Sequence, residues 1–310
     1  MEKPLISMLM NCYNGEEFLH DSITSVINQT YDNWELVFWD NQSNDSSKRI
    51  FQSYSDKRLK YYSSNDHSKL GEARRRAFEH LKGKFVAVLD TDDIWYPTKL
   101  EKQITGFKDP EVGIVISNAY FFNKFKKTEI FKSPPFQGWV FNKLLENYYV
   151  CLATLMFRKK FVTKLKKQFD SEFNYIADFD LVLRLSKISK LKYIDEILAG
   201  WRAHGQNHTF KSPYKFVEET SYWIKKQQKL NFLNSIQDRE SINILLNKHN
   251  RQLAIFELIN GNRINCIKKI LRQKNKNIKD LIVLFAALSF ISKNIIKSNY
   301  LKRISLGLVN

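Results

Sequence analysis

Three carboxylates crowd into the four residues Asp90-Thr91-Asp92-Asp93, immediately after the apolar run Phe85 to Leu89. Like charges this close repel, and a chain tolerates them most readily with a cation among them. Mg²⁺ or Mn²⁺ typically takes one or two carboxylates and fills its other positions with water and phosphate oxygens. A substrate carrying a diphosphate is therefore a natural partner of such a cluster. The plainer reading of the same residues is a solvated acidic turn capping a helix near Pro97. Two other apolar runs also stop at polar side chains: Leu5 to Met10 at Asn11, and Trp34 to Trp39 at Asp40. Polar residues at equivalent ends of three buried strands point to a ligand site.

The elements that must position these residues can be read from periodicity. Phe18, Leu19, Ile23, Val26 and Ile27 have helical spacing, and Gly71 to Leu81 reads as a second helix. Leu59 to Tyr62 and Val112 to Ile116 read as short strands. Strands alternating with helices predict an α/β fold, a mostly parallel sheet flanked by helices, and such sheets bind ligands outside the carboxyl ends of their strands. Further on, Phe141 to Tyr149 and Asp178 to Ile188 read as helices, and Leu191 to Ile194 and Leu198 to Arg202 as two strands. The pattern is looser from Lys124 to Gly138. After about Lys211 strand signals fade and the chain becomes helical and rich in Lys and Asn. The predicted division is 1–210 for a catalytic domain and 211–310 for a basic, mainly helical region.

The chain resembles a family 2 glycosyltransferase of the GT-A fold, which implies a Rossmann-like mixed, mostly parallel sheet flanked by helices, here with a C-terminal helical region. The resemblance is carried by Cys12 to Gly15, Ser25 to Tyr31, Glu35 to Ser43, Gly71 to Arg76, Phe85 to Trp95, Asp178 to Leu185 and Trp201 to His204. Each piece is common, but their order and spacing across about residues 4–208 are specific. The resemblance implies sugar transfer, with inversion, from a nucleoside-diphosphate donor (a UDP-sugar) to a hydroxyl of a saccharide or lipid-linked saccharide in bacterial surface polysaccharide synthesis. It implies that Asn11 and Tyr13 line the nucleoside pocket. Asp40 and Asn41 stand where paired aspartates usually meet base and ribose, and Arg74 stands where a basic residue near the donor is usual. Asp90 and Asp92, with Thr91 between them, form the DxD pair. Asp92 or Asp93 contacts Mn²⁺ or Mg²⁺, and His204 is a further metal ligand. Arg202 would neutralise the leaving diphosphate and Asp178 would take the acceptor's proton, with Asp180 as the fallback base. Two positions depart from the pattern: Ala177 replaces the usual glutamate, and Asn41 replaces an aspartate. They are the only support for the alternative, a catalytically degenerate sugar-nucleotide-binding or scaffold protein. Asp178 could also simply cap its helix.

Other classes fit poorly. A nucleotidyltransferase should show a glycine-rich loop after the first strand, and a dinucleotide enzyme a G-x-G-x-x-G. Asn11-Cys-Tyr-Asn-Gly15 is too poor in glycine for either. The net charge of +18 is uneven: residues 211–310 hold 19 Lys/Arg against 6 Asp/Glu. That balance suits an anionic membrane surface better than nucleic acid. The apolar run Leu281 to Ile291, followed by Lys293, Lys297, Lys302 and Arg303, is too short to span a bilayer. It can lie in an interface or pack as core. Cys12, Cys151 and Cys266 lack metal-type spacing and suit a reducing compartment. MEKPLISMLM has no signal-peptide pattern. The expectation is a cytoplasmic protein, peripheral on the inner face of the membrane if the basic region binds lipid.

Overall fold

Strands β1 (Ile6–Cys12) and β2 (Trp34–Asp40) are buried at every position. Their mostly apolar sequences lack the alternation of a half-exposed strand, as expected where both faces of the sheet are covered. The computed structural model describes residues 3–207, 212–273 and 276–288. Helix α1 (Leu19–Ile27) buries Leu19, Ile23 and Val26 on the sheet. Helices α2 (Ser47–Gln52) and α3 (Leu70–Phe78) follow the next two strands. Strand β3 (Leu59–Ser63), β2, β1 and β4 (Phe85–Val88) lie side by side and parallel.

Beyond β4 the sheet becomes mixed. Strand β8 (Met156–Arg158) runs antiparallel to both β4 and β6 (Val112–Phe122). Strand β9 (Lys190–Arg202) is parallel to β6, β5 (Ile94–Trp95) pairs antiparallel with β9, and β7 (Lys127–Glu129) pairs antiparallel with β6. This is a nine-stranded sheet in the order β3-β2-β1-β4-β8-β6-β9-β5, with β7 on β6. The two strands expected over residues 191–202 are one, kept continuous by register shifts against β6 around Ser117 to Ala119. Helices α4 (Lys99–Ile104), α5 (Phe141–Glu146), α6 (Lys159–Val162) and α7 (Ala177–Ser186) complete this part of the chain.

The first compact unit is Met1–Phe141 with Tyr149–His204; the second begins at Gly205 and takes in Asn142–Tyr148. The division expected near residue 210 thus falls a few residues earlier, and one short segment from within the first span joins the second unit. Asn142 explains part of that, since its amide donates to Asp238 Oδ1 at 3.2 Å.

The second unit contains α8 (Pro213–Lys229), α9 (Ile236–Ile259), α10 (Arg263–Leu271) and α11 (Ile278–Leu288). A capping box starts α9: Ser235 accepts from the Asp238 N–H, and the Asp238 carboxylate accepts from the Ser235 N–H. Ala254, Leu258, Cys266, Ile270, Val283 and Ala287 form its helical core. The apolar run starting at Leu281 divides between core and surface. Val283 and Ala287 are core, while Leu281, Ile282, Phe285 and Leu288 are exposed. The end of that run, the cations at 293, 297, 302 and 303, and His208 lie outside the described residues. Among the described residues no helix is long and apolar enough to cross a membrane.

Candidate active site

The acidic turn sits between two strands. β4 delivers Asp90, and β5 begins at Ile94, directly after Asp93. Because β5 pairs with β9, Ile94 lies opposite Gly200 and the turn comes to face the residues that follow β9. The approach is close: a Cβ on Gly200 would lie 2.8 Å from Phe122 Cε1 and 3.0 Å from Ile94 Cγ1. Two-residue β5 is thus what brings Asp92 and Asp93 to Arg202 and His204, more than a hundred positions away.

Each of these groups is held. The Arg202 N–H donates to Asp93 Oδ1 at 2.9 Å, its Nε to the Asp92 carbonyl at 2.9 Å, and its Nη2 to Asp21 Oδ2 at 2.8 Å. The guanidinium also stands over the rings of Phe18 and Phe122, at 4.6 and 4.9 Å. His204 Nε2 lies 2.8 Å from Asp92 Oδ2. Ser22, fully buried on α1, places its hydroxyl 2.7 Å from the Thr91 carbonyl and 2.6 Å from that of Asp93. Sequence reasoning missed Asp21 and Ser22. A small hydroxyl on the apolar face of α1, among Leu19, Ile23 and Val26, was the available signal.

Ligand atoms of Asp90, Asp92 and Asp93 lie within 4.8 Å of one another. Three carboxyl oxygens at that spacing, beside an imidazole, are a donor set suited to a hard divalent cation. Asp93 is buried and Asp92 and Asp90 are partly open. Desolvation, with Asp92 and Asp90 beside it, holds the Asp93 carboxyl well above the usual carboxylate range. Asp90 keeps an accessible edge, yet protein crowds its carboxyl and pushes it up to about 6, against the pull of Arg74 and with help from Asp92 and Asp178. The turn stores charge repulsion of the kind a cation relieves.

Arg74 is buried and donates from Nη2 to Asp90 Oδ1 at 3.0 Å, while its Nε has no hydrogen-bond partner. Both amide atoms of buried Asn11 also lack partners. Orphaned buried polar groups are rare in folded proteins and call for an explanation; a polar ligand at this strand end supplies one. The other pocket residues expected from sequence are engaged within the chain. Asp40 accepts from the Ser43 N–H and the Tyr61 hydroxyl, both at 2.7 Å. Asn41, expected to meet the base, instead bonds with Ser68 through both ends of its amide. Tyr13 is half exposed beside His67.

Helix α7 is brought alongside through α3. A Cβ on Gly71 would lie 2.1 Å from the Asp170 carbonyl, and the Gly71 N–H donates to the Phe173 carbonyl at 2.9 Å. Asp178 is not the N-cap, which is Ile176, but the second residue of the helix. It is half-buried and close enough to Asp90 to raise that carboxyl. The fallback base Asp180 is fully buried, and both its oxygens accept from Arg184 Nε, at 3.1 and 3.0 Å. Ile188, read as the last residue of this helix, lies beyond its end and is exposed.

The model of "Glycosyl transferase family 2" matches residues 7–176. An Escherichia coli protein, UDP-Glc:alpha-D-GlcNAc-diphosphoundecaprenol beta-1,3-glucosyltransferase WfgD, is 32% identical over 196 residues, which are 63% of this chain and 75% of that protein. S. aureus TarS 1-349 in complex with UDP-GlcNAc has the same fold, with a TM-score of 0.62 at 14% identity, covering 98% of this chain and 90% of that one. So has the mannosyltransferase PcManGT from Pyrobaculum calidifontis in complex with GDP-Man and Mn²⁺, with a TM-score of 0.60 at 13% identity, covering 99% and 86%. The strand-end site, the mixed sheet that builds it and the match over more than half of the chain lead to one conclusion: the protein belongs to glycosyltransferase family 2 and has the GT-A fold.

Proposed function

We propose that this glycosyltransferase moves a sugar from a UDP-sugar to a hydroxyl of a lipid-linked saccharide, with inversion at the anomeric carbon, in the building of a bacterial surface polysaccharide. The observation that carries the donor half is the acidic triad set beside the unpartnered Asn11 amide and Arg74 Nε. Asn11, Tyr13 and Asp40 line the nucleoside end, with Thr91 and Arg74 between it and the diphosphate. A cation, Mn²⁺ or Mg²⁺, held by Asp92 with Asp90, Asp93 and His204, would supply positive charge to the departing diphosphate. Arg202 keeps the acidic turn in place and adds its own charge on that side.

Asp178 accepts the proton of the acceptor hydroxyl as that oxygen bonds to the anomeric carbon. The bond from that carbon to the diphosphate oxygen breaks in the same step. Ala177 brings no second acid to the start of α7, and most of the acceleration comes from positioning. A panel of nucleotide sugars with Mn²⁺ tests the donor half. A ligand at about 100 times its Kd stabilises the fold by about 2.7 kcal/mol, so the UDP-sugar used should raise the melting temperature and be slowly hydrolysed. No shift with any nucleotide sugar sinks the proposal. A shift without hydrolysis or transfer favours the degenerate, binding-only alternative.

The second unit supports a membrane-borne acceptor. Leu281, Ile282, Phe285 and Leu288 are 53%, 62%, 70% and 64% exposed on α11, in a region with a large excess of cations. An apolar face among cations suits an anionic interface, each basic residue there contributing about 1 kcal/mol. Full-length protein should sediment with phosphatidylglycerol vesicles at low salt and be released by added salt. The double substitution Ile282→Glu, Phe285→Glu should weaken binding at least tenfold, roughly the loss of one to two kcal/mol. Sedimentation unchanged by the double substitution would move the contact elsewhere.

A further inference from the structure

We infer that His67, on the loop between β3 and α3, is the positioning residue of the nucleoside pocket, and that Asn41 is the latch of that loop rather than a contact to the base. This rests on the donor reading above and assigns work to two residues within it.

The loop is held from both sides. Asn41 donates from Nδ2 to the Ser68 carbonyl at 2.8 Å, and its Oδ1 accepts from Ser68 Oγ at 2.9 Å and from the Ser68 N–H at 3.3 Å. A carboxylate here could accept but not donate, so the amide is what the latch requires. The next residue, Gln42, sits in the left-handed region with φ 70° and donates to the Asn65 carbonyl at 3.0 Å. A strained, non-glycine backbone persists only where its surroundings impose it, and such positions cluster at ligand clamps. From α3, Arg76 Nη1 donates to Ser64 Oγ at 2.8 Å and Asp66 Oδ1 at 2.9 Å. The Ser64 N–H bonds the Asp40 carbonyl at 2.9 Å.

This bracing delivers one ring. His67 Nδ1 is 3.1 Å from the Asn41 carbonyl. The same Nδ1 lies 3.4 Å from Asn41 Nδ2, so the ring is held against Asn41 in either tautomer. The imidazole centroid then lies 4.1 Å from that of Tyr13, with the planes at 49°. Tyr13 is otherwise open, with 52% of its surface exposed. An open tyrosine samples several rotamers, and ordering it on binding lowers affinity. With His67 behind it, Tyr13 presents a fixed face on which a base can stack.

The test is the dissociation constant of full-length protein for UDP and for uridine, which lacks the phosphates. His67→Ala should weaken both by the same factor, about 5- to 30-fold, in the range of one base–aromatic stack. His67→Phe, which restores the ring but not the hydrogen bond, should recover most of the loss. His67→Gln, which restores the hydrogen bond but not the ring, should bind as weakly as alanine. Asn41→Asp should weaken both ligands together. Equal binding by His67→Ala and the unsubstituted protein, or a loss confined to UDP, overturns the inference. If the unsubstituted protein binds no nucleoside diphosphate at all, it is the donor reading that has failed.

Discussion

Asp92→Ala should lower sugar transfer by about 10²–10⁴-fold, the loss of several kcal/mol of transition-state charge stabilisation, while leaving the fold intact. The side chain is 27% exposed, and its Oδ2 lies 2.8 Å from His204 Nε2. Removing it takes away an oxygen from the triad and the hydrogen bond that orients the imidazole, at a partly open position. EDTA should do the same to the unsubstituted protein, with recovery on adding Mn²⁺ or Mg²⁺. Asp93→Ala should behave differently. Asp93 is buried and accepts the backbone N–H of Arg202. Its loss leaves that donor unsatisfied, at a cost of about 1–3 kcal/mol, so stability should fall together with activity. Full activity in EDTA, together with an active Asp92→Ala, would remove the metal from the mechanism and reduce the triad to a strained turn.

The part of this site legible in the sequence was the part made by single strands. The apolar runs that form β1, β2 and β4 stop at Asn11, Asp40 and Asp90, so the strand and its functional end are visible together. What was hidden depends on pairing between distant segments. β5 has two residues, and no periodicity exists at that length, yet its pairing with β9 sets Asp93 against Arg202. Asp195 and Glu196 interrupt the apolar pattern of β9 and divide it into two apparent strands. In the structure both are exposed within one continuous strand. β8 is three residues long, too short to show a period, yet its antiparallel pairing with β4 and β6 joins the parallel half of the mixed sheet to the rest. Asn41 was legible as a departure from the family's pattern, but not in its consequence, because Ser68 comes to it through the placement of β3.

Asp178→Asn should reduce turnover by about 10²–10⁴-fold, the usual contribution of a general base, and leave UDP affinity nearly unchanged. The amide keeps the shape of the side chain in the first turn of α7 but no longer accepts the acceptor's proton. Asp178 stands beside Asp90, at the donor's diphosphate end of the proposed site, where an attacking hydroxyl must lose its proton. The control is two residues along the same helix. Asp180 has no exposed surface and grips Arg184, which in turn donates to the carbonyls of Lys167 and Gln168. Asp180→Asn leaves that guanidinium poorly compensated, at a cost of about 3–5 kcal/mol when a buried pair is broken. Its signature is a lower melting temperature, with turnover per folded molecule largely kept. The two variants therefore separate along different axes, one in turnover and the other in stability. If Asp178→Asn turns over normally, the proton leaves by another group. A base at the start of α7 is then excluded, because Asp180, with both its oxygens on Arg184, cannot take its place.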